Sequence, residues 1–249
     1  MRTAYQGVGN IIRFNWHFYL LALVGVGVGL VVAHWLGGAW WVLGIVIAGG
    51  VLLTTLVSLI VSWYIYDRSD LYTLNWLDPY PDASSMLNIH AGFDETSALL
   101  AEKYPTAQLR VMDFYDPFLH TEVSIQRARR MYPPYPDTEV VNTGALPLVP
   151  GSVDVIFVLL SAHEIRNEEE RIHFFQQLKQ ALKLGGEIVI TEHLRDGANF
   201  LAYTLGFFHF YSRTSWLRTF RAADFDAFRE RKITPFLSTF TLVNDGTPP

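Results

Sequence analysis

Two dipeptides, His163-Glu164 and Glu192-His193, each set an imidazole beside a carboxylate in the second half of the chain. Histidine titrates near neutrality, so His163 or His193 can serve as a general base with Glu164 or Glu192 orienting it. Joined by His90 and Asp94, the same residues form an all-N/O donor set of the kind that suits zinc, iron or manganese. No HExxH pairing on a helix supports that set, and its members come from separate segments, so no metal ligand is assigned. The plainest alternative is that His163 and Glu192 satisfy buried backbone groups and each other.

These residues have to be positioned by regular elements. From Ser85 on, short apolar runs alternate with helical periodicity. The pattern predicts strands over Met86–His90, Leu109–Asp113, Glu139–Asn142, Asp154–Leu159 and Glu187–Glu192, with helices near Glu95–Lys103, Ser124–Arg130 and Glu168–Lys183. Asn167 can cap the last helix, three acidic residues fill its first turn, and Gly185-Gly186 follows it. Strands alternating with helices predict a mostly parallel sheet covered on both faces, an α/β fold. Ile233–Phe236 and Thr239–Val243 read as a closing pair of strands, with Pro235 marking an edge or a bend. In such sheets ligands bind beyond the carboxyl ends of the strands. The residues just past each strand are therefore the candidates: His90 to Glu95, Asp113 and Asp116, Asn142 to Gly144, Ser161 to Glu164, and Glu192-His193. Titratable groups collect on one rim.

The rest of the chain is of another kind. Between Phe14 and Tyr66 there is no Asp, Glu, Lys or Arg, although the chain carries 19 basic and 24 acidic residues. That stretch is long enough for two membrane spans of about 20 residues each. Helices are predicted from about Asn15 to Leu36 and from Ala39 to Tyr66, broken only at Gly37-Gly38, so they return antiparallel. Gly25, Gly27 and Gly29 facing Gly44 and Ala48 would let the backbones approach. Arg2, Arg13 and Arg68 flank the outer ends while the tip has no basic residue, which places both termini and the following domain in the cytoplasm, with the hairpin in the inner membrane. The domain organisation is then residues 1–13 as a cytoplasmic N-terminus, 14–66 as the hairpin, 67–84 as a linker and 85–249 as the α/β domain. A hairpin rich in small residues can also pack against its copy, giving a homo-oligomer. After Tyr66 the chain holds 17 basic and 24 acidic residues, a balance that argues against a nucleic-acid partner. Zero cysteines exclude disulfides, thiolate metal sites and cysteine nucleophiles. Six aromatics between Phe200 and Tyr211 read as a lid or an interfacial helix beside an apolar pocket.

Over roughly Ser85 to Val243 the chain resembles the class I S-adenosylmethionine-dependent methyltransferases, which have a Rossmann-like seven-stranded sheet. The matching pieces are the strand and glycine turn MLNIHAGFDETS, the VMD that ends at Asp113, GALPLVPGSVDVIFVLL before the fourth strand, and LKQALKLGGEIVITEH with its Gly-Gly turn. The chain departs from the family where Asn88 stands at an acidic position and His90 and Asp94 replace two of three glycines, leaving Gly92. The usual carboxylate near adenine is replaced by Asn142 or Thr143.

The resemblance implies S-adenosyl-L-methionine as cofactor. Asn88, His90, Gly92 and Asp94 would lie at its amino-acid end, Asp113 would accept hydrogen bonds from the ribose, and Phe114, Asn142 and Thr143 would flank the base. His163, Glu164, Glu192 and His193 would form the catalytic rim. The expected activity is that of a membrane-anchored methyltransferase acting on a lipid-soluble acceptor, such as a quinone, a polyene pigment or a lipid head group. The altered glycine motif and the HE pair are also similar to the rhodoquinone-forming relative of the quinone methyltransferases, where S-adenosylmethionine serves a non-methyl transfer. A non-catalytic membrane scaffold or sensor that kept the fold is the third alternative.

Overall fold

The computed structural model describes residues 3–246, which pack as two compact units. The first holds the chain up to Ser69 together with Gly197–Phe207; the second holds Asp70–Asp196 together with the chain from Phe208 on.

In the first unit α1 (Gln6–Leu36) and α2 (Gly38–Trp63) form an antiparallel hairpin that turns at Gly37, whose φ of 66° suits glycine. Both helices are long and apolar enough to cross a membrane. The first begins nine residues earlier than the sequence suggests. Its cap comes from far along the chain: the Asp67 carboxylate accepts the backbone N–H groups of Gly7 (2.6 Å) and Val8 (2.8 Å). Two of the four orphan donors of that helix end are satisfied in this way. The close approach between the two helices is also not where the glycines cluster. A Cβ on Gly44 would sit 2.6 Å from Ala33 Cβ, whereas Gly25, Gly27 and Gly29 have nothing within 4 Å of theirs. A short helix, α6 (Gly197–Tyr203), packs against α2 and leaves Phe200, Leu201 and Leu205 exposed.

The second unit is a seven-stranded sheet. Its strands are β1 (Ser85–His90), β2 (Gln108–Asp113), β3 (Glu139–Val140), β4 (Val153–Leu159), β5 (Leu182–His193), β6 (Phe228–Thr234) and β7 (Leu237–Val243). Their order is β3-β2-β1-β4-β5-β7-β6, parallel through β5, with β7 antiparallel to both of its neighbours. The order reverses between β1 and β4, so the crevice at their carboxyl ends is the topological switch point. The helices are α3 (Ser97–Lys103), α4 (Val123–Met131), α5 (Glu168–Ala181) and α7 (Arg213–Ala222). Asn167 caps α5 by accepting the Glu170 N–H. Buried Ile156, Val158, Ile188 and Ile190 of the central strands pack with Phe174, Phe175, Trp216 and Phe220 in one core.

Two expectations are corrected here. The closing strand begins at Phe228, not Ile233, and Pro235 lies in the turn between β6 and β7; the FRERKIT run reads as a polar segment because it is the exposed edge of the sheet. Residues 70–84 are not a free spacer either. Leu71, Leu74, Trp76 and Leu77 are buried, and the Tyr72 hydroxyl donates to Glu95 at 2.6 Å.

Candidate active site

The rim residues stand at the carboxyl ends of β1, β2, β4 and β5, and two clusters emerge among them. The first surrounds the β1 turn. Asn88 donates to the hydroxyls of Thr96 (3.1 Å) and Ser97 (2.7 Å), tying β1 to the start of α3, while its buried Oδ1 has no partner among the described residues. Asp94 accepts the backbone N–H groups of Thr96 and Ser97 at 2.8 and 2.9 Å, so in this structure it caps α3. His90 pairs in register with Asp113 across β1 and β2. Its Nδ1 accepts the Gly92 N–H (3.2 Å), which leaves Nε2 as the proton-bearing nitrogen, buried and without a hydrogen-bond partner among the described residues. Burial lowers the His90 pKa, only partly offset by Asp94 and Asp113, so the ring is neutral.

Asp113, at the end of β2, is 2 % exposed. Its Oδ1 accepts the Tyr115 N–H at 2.9 Å, and its other oxygen is held in a short ion pair by Arg129 of α4. Arg129 also donates to the Gly92 carbonyl (3.2 Å), and its guanidinium lies 4.4 Å from the Tyr115 ring centre. Gly92 has φ +93°, and a Cβ there would meet the Tyr115 ring at 2.9 Å. The close approach that requires glycine is therefore made by Tyr115 in this structure. Phe114 is 2 % exposed, with its ring centre 5.6 Å from that of Phe174. Asn142 accepts the Gly144 N–H (2.7 Å) and Thr143 donates to Glu170, so these two shape the turn after β3.

The second cluster lies beyond β4 and β5. Leu160, at φ +54°, turns the chain out of β4. The Ser161 hydroxyl donates to the Ile89 carbonyl at 3.2 Å, and a single 3-10 turn presents His163 and Glu164. Fully buried Glu192 accepts both the His163 backbone N–H (3.2 Å) and Nδ1 (2.6 Å), which fixes the ring with Nε2 facing Glu164 Oε1 at 3.2 Å. Burial alone would depress the His163 pKa. The two carboxylates outweigh it and push it up to about 10, while burial of Glu164 is outweighed by His163 and His209, which hold its carboxyl well below the usual range. The loop is anchored by Arg171, 2 % exposed, which donates to the Ile165 carbonyl (2.8 Å) beneath the Tyr211 ring.

His193 is not brought to this cluster. Its Nδ1 lies 3.1 Å from the Phe236 carbonyl and its ring stacks on Phe210 at 4.7 Å. In its place the structure supplies His209, a residue the sequence reading passed over inside an aromatic run. His209 lies 3.4 Å from Glu164 Oε1 and 3.1 Å from Glu122, with Arg166 against it. Nothing local marks His209; it reaches the site because Phe208–Tyr211 folds back along the end of β5, where the Arg195 N–H donates to the Tyr211 carbonyl (2.8 Å).

No family profile matches the chain, and no curated protein matches it by sequence. Solved structures do match in fold. Human N-acetylserotonin methyltransferase, solved with S-adenosylmethionine, superposes with a TM-score of 0.52 at 14% identity over 77% of this chain and 54% of its own. A Nostoc punctiforme protein assigned as an O-methyltransferase gives 0.51 at 14% over 95% of this chain and 72% of its own. A family 2 O-methyltransferase from Planctomyces limnophilus, solved with apigenin, gives 0.51 at 14% over 77% and 60%. The chain thus spans little more than half the length of the human and Planctomyces proteins. The α/β domain has the class I S-adenosylmethionine-dependent methyltransferase fold.

Proposed function

We propose that this protein is an S-adenosylmethionine-dependent methyltransferase, held in a membrane by α1 and α2 and acting on a lipid-soluble acceptor through an oxygen or nitrogen atom. The observation that carries the reading is the His163–Glu192 pair at 2.6 Å, set at the carboxyl ends of adjacent strands β4 and β5 beside the switch point of a methyltransferase fold.

The residues present fit the cofactor. The buried Asp113 carboxylate suits ribose hydroxyls, and the orphan His90 Nε2–H suits the carboxylate at the methionine end. Arg129 must then leave Asp113. The cofactor, once bound, supplies an electrophilic methyl group on a sulfonium centre. Everything else falls to the chain. Alignment of acceptor and donor supplies most of the rate. An acceptor hydroxyl must lose its proton as the methyl arrives; the His163 imidazole, fixed by Glu192 and flanked by Glu164, would take that proton only in its neutral form, so on this reading the proton that the two carboxylates hold on the ring has to leave first.

The first unit supports this acceptor class. The two apolar helices and the exposed Phe200, Leu201 and Leu205 of the segment packed with them favour a substrate that partitions into the bilayer, such as a quinone, a polyene pigment or a lipid head group. Orientation with the α/β domain in the cytoplasm rests on Arg2, Arg13 and Arg68. The hold of Arg129 on Asp113 favours a second reading, a non-catalytic membrane scaffold. Calorimetric titration of the detergent-purified protein with S-adenosylhomocysteine separates the two. Micromolar binding, weakened at least tenfold in Asp113→Ala, supports the methyltransferase. No binding to the folded protein rejects it.

A further inference from the structure

The His163–Glu164 turn and His209 have the arrangement of a metal site. Glu164 Oε1 lies 3.2 Å from His163 Nε2 and 3.4 Å from His209 Nε2, and the donor atoms of the three residues all fall within 4.8 Å of one another. An ion about 2.0–2.1 Å from each donor sets neighbouring donors about 3.0–3.5 Å apart, so little movement is needed to close on one.

The outer contacts point the same way. Each imidazole has a carboxylate at its Nδ1, Glu192 at 2.6 Å from His163 and Glu122 at 3.1 Å from His209. That is the arrangement by which carboxylates orient metal-binding histidines, and here it turns both Nε2 atoms toward Glu164 Oε1. The two rings stand at 77° with centres 5.1 Å apart, so their Nε2 atoms approach from different directions. Glu122, Glu164 and Glu192 place three carboxylates here against one guanidinium, that of Arg166. A divalent cation held by neutral imidazoles would bring the cluster to neutrality.

We propose that His163, Glu164 and His209 bind a divalent first-row transition-metal ion through two imidazoles and one carboxylate, with at least one coordination position open. Two imidazoles and a single carboxylate suit zinc, iron, manganese or cobalt rather than magnesium or calcium. Metal binding is independent of the methyltransferase reading. The use of the open position rests on it: an acceptor oxygen bound there would have its pKa lowered, so that its proton leaves more easily as the methyl group arrives. Arg166 is the competitor. Its Nη2 lies against both ring nitrogens of His209, 2.5 Å from Nε2, so the ion and the guanidinium contend for one place. Arg166 is exposed, and its Nη1 donates to the His209 carbonyl at 2.7 Å.

The test uses full-length, chelator-treated protein in detergent, titrated with Co2+ by calorimetry and followed by its visible absorption. One equivalent of Co2+ with ligand-field bands is expected. His209→Ala and Glu164→Gln should each weaken binding at least tenfold and alter the bands. Arg166→Gln should bind more tightly than wild type, an outcome that a purely structural His/Glu cluster does not produce. The proposal is overturned if wild type takes up no stoichiometric Co2+. It is equally overturned if Glu164→Gln, checked for folding by its unfolding transition, binds Co2+ as wild type does. Titrating the same samples with S-adenosylhomocysteine keeps the two readings apart. Homocysteine-cofactor binding without Co2+ uptake rejects the metal alone, and Co2+ uptake without cofactor binding rejects the methyltransferase alone.

Discussion

Glu192 holds His163 at two points, accepting its Nδ1 at 2.6 Å and its backbone N–H at 3.2 Å, from a position with no exposure to solvent. A buried carboxylate used in this way ties the charge state of the imidazole to the stability of the fold.

The His163 pKa is raised to about 10 in the metal-free fold, against about 6.5 in an unfolded chain. A raised pKa means that the folded state holds the proton more tightly. Its stabilisation is therefore complete below about pH 6.5 and is lost as pH rises towards 10. The amount is on the order of a few kcal/mol. Denaturant unfolding of chelator-treated protein at pH 6 and pH 10 should show wild type losing this increment, with His163→Gln losing much less. A stability difference between the two proteins that stays constant across the window would show that the imidazole is neutral there.

Arg129 and a ribose compete for Asp113 on the reading proposed above. Both Asp113 oxygens are engaged, one by the Tyr115 N–H and one by Arg129. Arg129→Ala should therefore tighten S-adenosylhomocysteine binding by about tenfold, the equivalent of about 1.4 kcal/mol released from a charge pair half open to water. Calorimetry decides it. Weaker binding in the variant would assign Arg129 to the ligand instead of to its exclusion.

The sheet was legible because its signals are local. Asn167, the three glutamates after it and the apolar run of β4 each declare their element within a few residues, and the strand ends then locate Asp113, His163 and Glu192. What was illegible depends on partners distant in sequence. Arg129 reaches Asp113 from the helix predicted near Ser124–Arg130, 16 residues on, and His209 arrives from an aromatic run 45 residues beyond Glu164. His193 shows the converse. It adjoins Glu192 in the chain, but alternation along a strand sends neighbouring side chains to opposite faces, and it packs on Phe210. Adjacency in the chain therefore does not by itself bring His193 to the partners of Glu192.

The hairpin offers a test that needs no ligand. Gly7 lies so close to the helical turn that follows α2 (Tyr64–Arg68) that a Cβ would come within 2.4 Å of Tyr66 Cβ, and the next residue, Asp67, accepts the Gly7 and Val8 N–H groups. Gly→Ala inside a helix ordinarily stabilises by about 1 kcal/mol. Here the clash must prise the two segments apart and take both hydrogen bonds with it. Asp67→Ala removes the same two bonds without a clash and should cost about 1–2 kcal/mol, the range for a lost helix cap. Gly7→Ala should therefore be destabilising despite its better helix propensity. Because both changes break one contact, the double variant should be little worse than the worse single. Thermal unfolding of the three variants in detergent measures this directly. Additive losses would mean that Gly7 and Asp67 act separately, and a stabilised Gly7→Ala would mean that the helix start does not press on Tyr66.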